Sequence, residues 1–379
     1  MTAPGHAVHR GLYGRIMLIS ILAIGTLAGP ARAQAVSFAP TVNFPAGDTP
    51  RGIATADLNG DAHADLATAN VGSNDVSVLW GDGTGGFAAP VHFPTGGDSP
   101  GGIVAADLNG DTHADLATAN ESSGDISVLL GDGNGGFTAP VDFPTGGDAP
   151  LGIVAADLNG DTHADLATAN ESSDDVSVLL GDGNGSFVAP VSLATGRVPN
   201  ALVVADLNGD AHVDLATANF GSDDVSVLFG DGTGSFAAAV HFPAGNGPRG
   251  IAIADLNGDG RLDLATGNRD SNDLSVLVGD GAGGFAAPRD VPAGDGPGGV
   301  VAADLNGDGR IDLATGNRNS NDVSVLLGDN AGGFAAPISL PTGNGSREIV
   351  AADVNSDGRL DLATNNVVSG DVSVLVNAT

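Results

Sequence analysis

The chain lacks cysteine and lysine and has few aromatic residues, and each shortage excludes something. Without cysteine no disulfide can stabilise the fold, so another stabilising element is expected. All 13 basic residues are arginine, and aromatic residues make up only 4% of the chain. Thiol and amine nucleophiles are therefore unavailable, and the stacking rings that sugar-binding sites use are scarce.

Positive charge is scarce as well. The 379 residues carry 46 acidic side chains, which gives a formal net charge of −33, and only three of the acids are glutamate. A surface this acidic repels nucleic acid and anionic lipid, so we expect neither as a partner. Carboxylates this dense also repel one another unless a counter-ion neutralises them.

Residues 1–33 resemble a secretory leader. Arg10 and Arg15 precede an apolar run at 16–29, and Ala31-Arg32-Ala33 has the form of a cleavage site. We expect a mature chain that starts at Gln34 and is secreted, periplasmic or held at the cell envelope. The alternative is an uncleaved membrane anchor, although the run is shorter than the roughly 20 residues that a spanning helix needs. No later stretch resembles a transmembrane segment.

One nine-residue pattern, Asp-x-Asn-x-Asp-x-x-x-Asp, recurs along the rest of the chain. Its first residue falls at 57, 107, 157, 206, 255, 304 and 353, so the spacing is 50 or 49 residues. A fixed period near 50 in a β-rich chain is typical of propeller blades. We expect an all-β, seven-bladed β-propeller over residues 34–379, with repeat units at about 51–100, 101–150, 151–198, 199–247, 248–296, 297–345 and 346–377.

Each unit predicts four short strands separated by turn residues. In the second unit the predicted strands are 102–106, 114–118, 126–130 and 137–143. Small residues dominate the first two strands, as the crowded axis of a propeller requires, and bulky residues occur in the fourth. Proline is tolerated on edge strands, so we expect the outermost strand of the blades to contain Pro90, Pro140, Pro190, Pro288 and Pro337.

The two ends of the repeat array complement each other. The seventh unit stops after its third strand, and residues 37–47 have the sequence of the missing fourth strand. An N-terminal strand that completes the last blade would close the ring and leave no unpaired edge.

The loop pattern places three carboxylates and an amide oxygen at positions 1, 3, 5 and 9, which suits a hard cation. Calcium takes six to eight oxygen ligands, and the EF-hand loop begins with the same 1, 3, 5 spacing. The loop and the Ser-Val-Leu-x-Gly-Asp-Gly segment that follows resemble the VCBS and FG-GAP-like repeat family of calcium-loop propellers, over residues 37–377. Propellers of this family act in adhesion, lectin-like binding and catalysis. The resemblance therefore predicts the fold specifically but does not identify the function.

The resemblance implies side-chain ligands at positions 1, 3, 5 and 9 and a main-chain carbonyl at position 7, for up to seven Ca²⁺ ions. The implied ligands are, blade by blade, Asp57, Asn59, Asp61, His63, Asp65; Asp107, Asn109, Asp111, His113, Asp115; Asp157, Asn159, Asp161, His163, Asp165; Asp206, Asn208, Asp210, His212, Asp214; Asp255, Asn257, Asp259, Arg261, Asp263; Asp304, Asn306, Asp308, Arg310, Asp312; and Asp353, Asn355, Asp357, Arg359, Asp361.

The residue at position 6 of the loop divides the blades into two groups. Blades five to seven have glycine there, whereas blades one to four have Ala62, Thr112, Thr162 and Ala211. A sharp loop needs positive φ at this position, which is costly for threonine. We therefore expect tighter calcium sites in the last three blades, unless the residue at position 4 absorbs the turn.

Two further repeated features have a structural and a functional interpretation. The histidines at position 7 could suggest transition-metal ligands, but solvated loop side chains are the preferred interpretation. An asparagine ends the second strand of every unit, and an aspartate follows five residues later. This pair is typical of a capped hairpin, although it could form a polar ligand ring on the face opposite calcium.

Function is less constrained than fold. We expect a monomeric, calcium-binding module for protein binding or adhesion, whose partner is an extracellular protein or glycan. A lectin is the first alternative, and repeated exposed aromatics would favour it; Trp80 occupies a core position instead. A secreted hydrolase or lyase is the second, and it would need a non-repeated cluster of Arg, His or Tyr in the central funnel. No such cluster is evident from the repeats, so we expect no enzyme.

Overall fold

The computed structural model describes residues 35–379, and these residues form 28 β-strands. The expected leader, residues 1–33, lies outside them. The strands form seven separate four-stranded antiparallel sheets, each built from strands consecutive in sequence except one. The all-β, seven-bladed propeller is therefore confirmed. No segment of residues 35–379 forms an apolar helix of bilayer length.

Each blade runs from the axis to the rim. The innermost strands are β2 (Pro50–Ala56), β6 (Pro100–Ala106), β10 (Pro150–Ala156), β14 (Pro199–Ala205), β18 (Pro248–Ala254), β22 (Pro297–Ala303) and β26 (Ser346–Ala352). The second strands are β3 (Asp65–Asn70), β7 (Asp115–Asn120), β11 (Asp165–Asn170), β15 (Asp214–Asn219), β19 (Asp263–Asn268), β23 (Asp312–Asn317) and β27 (Asp361–Asn366).

The third strands are β4 (Asp75–Leu79), β8 (Asp125–Leu129), β12 (Asp175–Leu179), β16 (Asp224–Leu228), β20 (Asp273–Leu277), β24 (Asp322–Leu326) and β28 (Asp371–Leu375). The outermost are β1 (Val42–Pro45), β5 (Val91–Pro94), β9 (Val141–Pro144), β13 (Val191–Ala194), β17 (Val240–Pro243), β21 (Arg289–Pro292) and β25 (Ile338–Pro341).

The last blade is completed by the start of the described chain. Strand β1 pairs with β28 in the register Val42↔Val374 to Pro45↔Asp371. The pairing continues beyond the two strands, since the main-chain N–H of Ala39, before β1, donates to the carbonyl of Val376, after β28, at 2.8 Å. The predicted closure by the N-terminal strand is confirmed, and it covers the edge of β28 that would otherwise be unpaired.

The prediction for the outer strand was wrong in one respect. Residue 137 forms only an isolated bridge with Gly131, and the outer strand begins at Val141, so Pro140 precedes the strand instead of lying on it. Pro90, Pro190, Pro288 and Pro337 likewise immediately precede their strands. A proline lacks the N–H that the ladder needs, which explains why pairing starts after it.

Hydrophobic cores lie between neighbouring blades. One cluster joins Ala67, Val76 and Val78 of the first blade to Leu116 and Leu129 of the second, all of them almost completely buried. Equivalent clusters occur around the ring, so each blade buries its faces only against its two neighbours. At the axis, the inner strands approach one another through backbone: a Cβ on Gly102 would lie 2.1 Å from the carbonyl oxygen of Leu151.

Candidate functional site

The Asp-rich loops join the first strand of each blade to the second, all on one face of the ring. In the fifth blade, Oδ1 of Asp255 accepts the N–H groups of Gly258 (2.7 Å) and Asp259 (3.1 Å), and its Oδ2 accepts that of Gly260 (2.8 Å). The Oδ1 atoms of Asn257 and Asp259 each accept an N–H two residues later. The side chains at positions 1, 3 and 5 therefore fold the loop by satisfying its own main chain.

The backbone at position 6 is left-handed in every loop, as predicted. Its φ is 72° at Thr112 and 73° at Thr162, compared with 82° at Gly260. Position 4 does not absorb the turn, because it has positive φ as well, for example 78° at Gly110. Blades two and three thus hold a β-branched residue in a conformation that disfavours it. Weaker calcium binding in the first four blades remains a prediction.

The carboxylate at position 9 has a different environment from the other three ligands. Asp263 is fully buried; its Oδ2 accepts the N–H of Leu256 at 3.0 Å, and its Oδ1 accepts the N–H of Gly279 at 2.8 Å. It therefore fixes the loop to the end of the third strand. Burial raises the pKa of Asp263 to about 6, and the charges of Asp259 and Asp255 add to the increase while the two main-chain hydrogen bonds oppose it.

The same environment recurs around the ring. Burial raises the pKa of the position-9 carboxyl in all seven loops, to about 7 at Asp312 and about 6 at Asp65, Asp115, Asp165 and Asp361, and it also raises that of Asp214. Each loop therefore keeps a desolvated carboxylate next to two further acids.

The loops supply the type of ligand atom that calcium prefers. Hydrogen bonds to the main chain, however, already hold these side chains in place. Carboxylate, amide and carbonyl oxygens are the ligands that Ca²⁺ prefers. Within residues 35–379, however, no three Asp, Glu, His or Cys side chains lie close enough together to hold a metal ion. The loop oxygens accept main-chain N–H groups, and each carboxylate keeps at least one free lone pair on one of its two oxygens. A bound ion would therefore require the side chains at positions 1, 5 and 9 to converge further.

The histidines at position 7 lie on their own blades. A Cβ built on Gly83 would lie 2.3 Å from the ring of His63, and one on Gly133 would lie 2.2 Å from that of His113. Each ring therefore packs over the turn between the third and outer strands of the same blade. This placement gives no support to a shared transition-metal site.

The repeated asparagines and aspartates form a buried structural network. Asn170 is completely buried, and its Nδ2 donates to Asp175 at 2.7 Å and to Ser177 at 2.8 Å. The same bonds recur in the other blades, for instance from Asn268 to Asp273 and Ser275. The capped-hairpin interpretation is therefore right, and these asparagines are not available to a ligand.

A second candidate site was missed at the sequence level, and it lies at the axis on the face opposite the Asp-rich loops. A cavity of about 170 Å³ is lined by residues from all seven innermost strands, including Arg51, Asn200, Arg347 and Glu348. Every innermost strand has a register shift just after its first residue, for example between Pro50 and Gly52. Bulges of this kind redirect side chains and are common next to functional sites.

Arg51, Arg347 and Glu348 line this cavity, and five more charged residues lie close enough to interact with them or with one another: Glu121, Glu171, Arg249, Arg269 and Arg318. We call these eight residues the axial mouth. The only three glutamates of the chain and five of the ten arginines after residue 34 belong to it. They occupy three positions of the repeat: the residue after the first residue of the innermost strand, the next residue (Glu348 alone), and the residue after the second strand. That concentration was readable in the sequence, but the residues differ from blade to blade and do not form a motif.

The chain matches a known repeat family over most of its length. Residues 64–118, 107–168, 160–217, 206–266, 255–315 and 305–364 match the profile described as FG-GAP-like repeat. No curated protein sequence matches the chain.

Several solved structures are similar in fold. Virginiamycin B lyase from Staphylococcus aureus has a TM-score of 0.62 and 14% identity, over 90% of this chain and 99% of the lyase. An Agrocybe aegerita lectin that recognises non-reducing terminal N-acetylglucosamine has a TM-score of 0.55 and 20% identity, over 86% of each chain. A putative 6-phosphogluconolactonase from Bacteroides fragilis has a TM-score of 0.62 and 14% identity, over 81% of this chain and 90% of the other. Identities this low establish the propeller fold alone.

Proposed function

Because the chain belongs to the FG-GAP-like repeat family, we propose that it is an exported, calcium-stabilised propeller that acts as a protein-binding or adhesion module. One observation carries the proposal: seven copies of the same oxygen-rich loop lie on one face of a closed ring. A bound cation in each loop would neutralise carboxylates that otherwise repel one another.

The ligands would be the side chains at positions 1, 3, 5 and 9 with the main-chain carbonyl at position 7. When bound, calcium would supply positive charge beside a buried carboxylate such as Asp263, whose pKa is raised in its absence. The chain's own residues would set the loop shape through their main-chain hydrogen bonds. Calcium would then stabilise the scaffold, and the partner would bind elsewhere on it.

Other functions have weaker support. A lectin would favour exposed aromatic rings, but the large hydrophobic residues exposed in the described chain are all valines. An enzyme would need acid–base groups at the axis, yet His92 and His241 lie on the outermost strands, where their rings contact the hydroxyls of Ser77 and Ser226 on the third strands at 3.0 Å. The axial mouth is the non-repeated arginine cluster that a hydrolase or lyase would need, and that alternative keeps this one observation in its favour.

The proposal can be tested with the mature chain from Gln34. Beads coated with it should attach to the surface of the source organism's cells in 2 mM calcium and detach when a chelator is added. Asp255→Ala and Asp304→Ala together remove the position-1 ligands of two loops. We expect this double variant to need more calcium than wild type for the same attachment. Attachment that is equal with calcium and with chelator, or no attachment at all, would contradict the proposed calcium-dependent adhesion.

A further inference from the structure

The axial mouth concentrates positive charge in an otherwise acidic protein. Its five arginines outnumber its three glutamates, whereas the whole chain has a net charge of −33. Three of the arginines, Arg51, Arg249 and Arg347, occupy the bulge positions of β2, β18 and β26. A bulge residue is left out of the strand pairing, so its side chain is not constrained by the ladder. Arg51 and Arg347 line the cavity, and Arg249 lies close enough to both for their charges to act on one another.

Buried hydrogen-bond donors at the mouth lack partners. Arg347 is 5% exposed and Asn200 is 4% exposed, and both line the cavity. Within residues 35–379, the Nε atoms of Arg51, Arg249 and Arg347 and the Nδ2 atom of Asn200 are buried without a hydrogen-bond acceptor. Arg51, Asn200 and Arg347 line the cavity, and Arg249 lies beside it. Native proteins rarely leave such groups unsatisfied, so unpaired donors grouped at one cavity indicate a missing acceptor.

The glutamates satisfy only part of this demand. Glu121 forms an ion pair with Arg51, and Glu348 lies 3.8 Å from the Nε atom of Arg347. The described residues provide no carboxylate within ion-pair distance of Arg249, which instead lies over the ring of Phe220 at 5.5 Å. Burial, together with the charges of Arg269 and Arg51, lowers the pKa of Arg249 to about 10. Positive charge at this site is therefore incompletely balanced.

We propose that the axial mouth binds a small oxyanion, a carboxylate or a sulfate-like group, between Arg51, Arg249 and Arg347, with the amide of Asn200 as a neutral donor. Guanidinium groups match such oxygens in geometry and bind them through charge-assisted hydrogen bonds. The volume of about 170 Å³ admits a small molecule or one terminal acidic group of a larger one. The site is separate from the calcium loops, which lie on the opposite face.

The test uses calorimetric titration of the mature chain in 2 mM calcium at physiological salt, with sulfate, succinate and the neutral succinamide as probes. The net negative charge of the protein opposes non-specific binding of anions, so saturable binding at this salt concentration requires a defined site. We expect sulfate or succinate to bind saturably and succinamide not to bind. A preference for succinate would identify a carboxylate ligand, and a preference for sulfate a tetrahedral oxyanion.

Arg249→Gln and Arg347→Gln should each weaken anion binding at least tenfold, or about 1.4 kcal/mol. The matched control is Arg289→Gln, which changes an exposed arginine on the outermost strand β21, away from the axis and outside the Asp-rich loops, and should leave binding unchanged. If Arg347→Gln does not fold, Arg249→Gln still decides the question, because Arg249 has no ion pair to lose. Absence of saturable binding by both anions, or equal affinities for Arg249→Gln and wild type, would overturn the proposal. Either result would leave the calcium proposal standing.

Discussion

The buried carboxylates at position 9 predict an unusual dependence of stability on pH when calcium is absent. Burial raises their pKa from 3.8 to about 6 in most loops and to about 7 at Asp312. A carboxyl whose pKa is higher in the folded state stays protonated there while the unfolded chain ionises. Stability is therefore present below pH 4 and is lost as the pH rises from about 4 to about 7.

The magnitude follows from the shifts. An increase from 3.8 to about 6 corresponds to about 3 kcal/mol of lost stability for one loop, as an upper estimate. For a domain of this size the entropy of unfolding makes that loss equal to about 4 °C in Tm. The assay is thermal unfolding by circular dichroism of protein depleted of calcium, at pH 5, 6 and 7.5, with and without 2 mM calcium.

The calcium-free protein should melt several degrees lower at pH 7.5 than at pH 5, and added calcium should remove most of that difference. In Asp312→Asn the calcium-free decrease should be smaller, because the group with the largest increase no longer titrates. Asp280→Asn is the matched control, since Asp280 is an exposed turn residue whose hydrogen bonds lower its pKa. A calcium-free Tm that stays level or rises between pH 5 and 7.5 would refute the reasoning.

Three further predictions concern the loops and the closure. Thr162→Gly should raise stability by about 1 kcal/mol and tighten calcium binding, because Thr162 at position 6 has a φ of 73°. Gly260→Thr, the opposite change at the same position of the fifth loop, should lower stability and weaken calcium binding. Melting curves equal to that of wild type would disprove the strain argument. Asp263→Ala should cost about 3–5 kcal/mol in denaturant unfolding, since it leaves two main-chain N–H groups buried without acceptors; a cost below 1 kcal/mol would show that the carboxylate is dispensable. Deletion of residues 34–46 should lower the Tm and promote self-association, which light scattering would detect, because the edge of β28 becomes unpaired; a monomer of unchanged Tm would argue against closure by β1.

The fold was largely predictable because the repeat makes local and global signals agree. The 49–50-residue spacing specified the number of blades, and the missing fourth strand after Leu375 together with the extra strand before Pro45 specified how the ring closes. The outer strand was placed too early because the segment from Phe137 to Pro140 forms only an isolated bridge, between Phe137 and Gly131, and the continuous strand begins at Val141. Strand pairing depends on a neighbour, which sequence patterns do not describe.

The candidate sites were predictable to different degrees. The loop ligands follow from oxygen donors at fixed spacing within nine residues, which is local information. The axial mouth depends on residues such as Arg51, Arg249 and Arg347, which are 98 to 296 positions apart and meet only because the inner strands converge. Three arginines in different repeats look like ordinary variation until the ring brings them together.

The most direct test of the account is the number of calcium ions bound by the folded mature chain, measured by equilibrium dialysis and elemental analysis. The account predicts close to seven ions per chain at saturating calcium, with the first sites to fill in the blades that have glycine at position 6. Fewer than one ion per chain at millimolar calcium would contradict it, because the acidic loops would then be stable without the cation that is proposed to neutralise them.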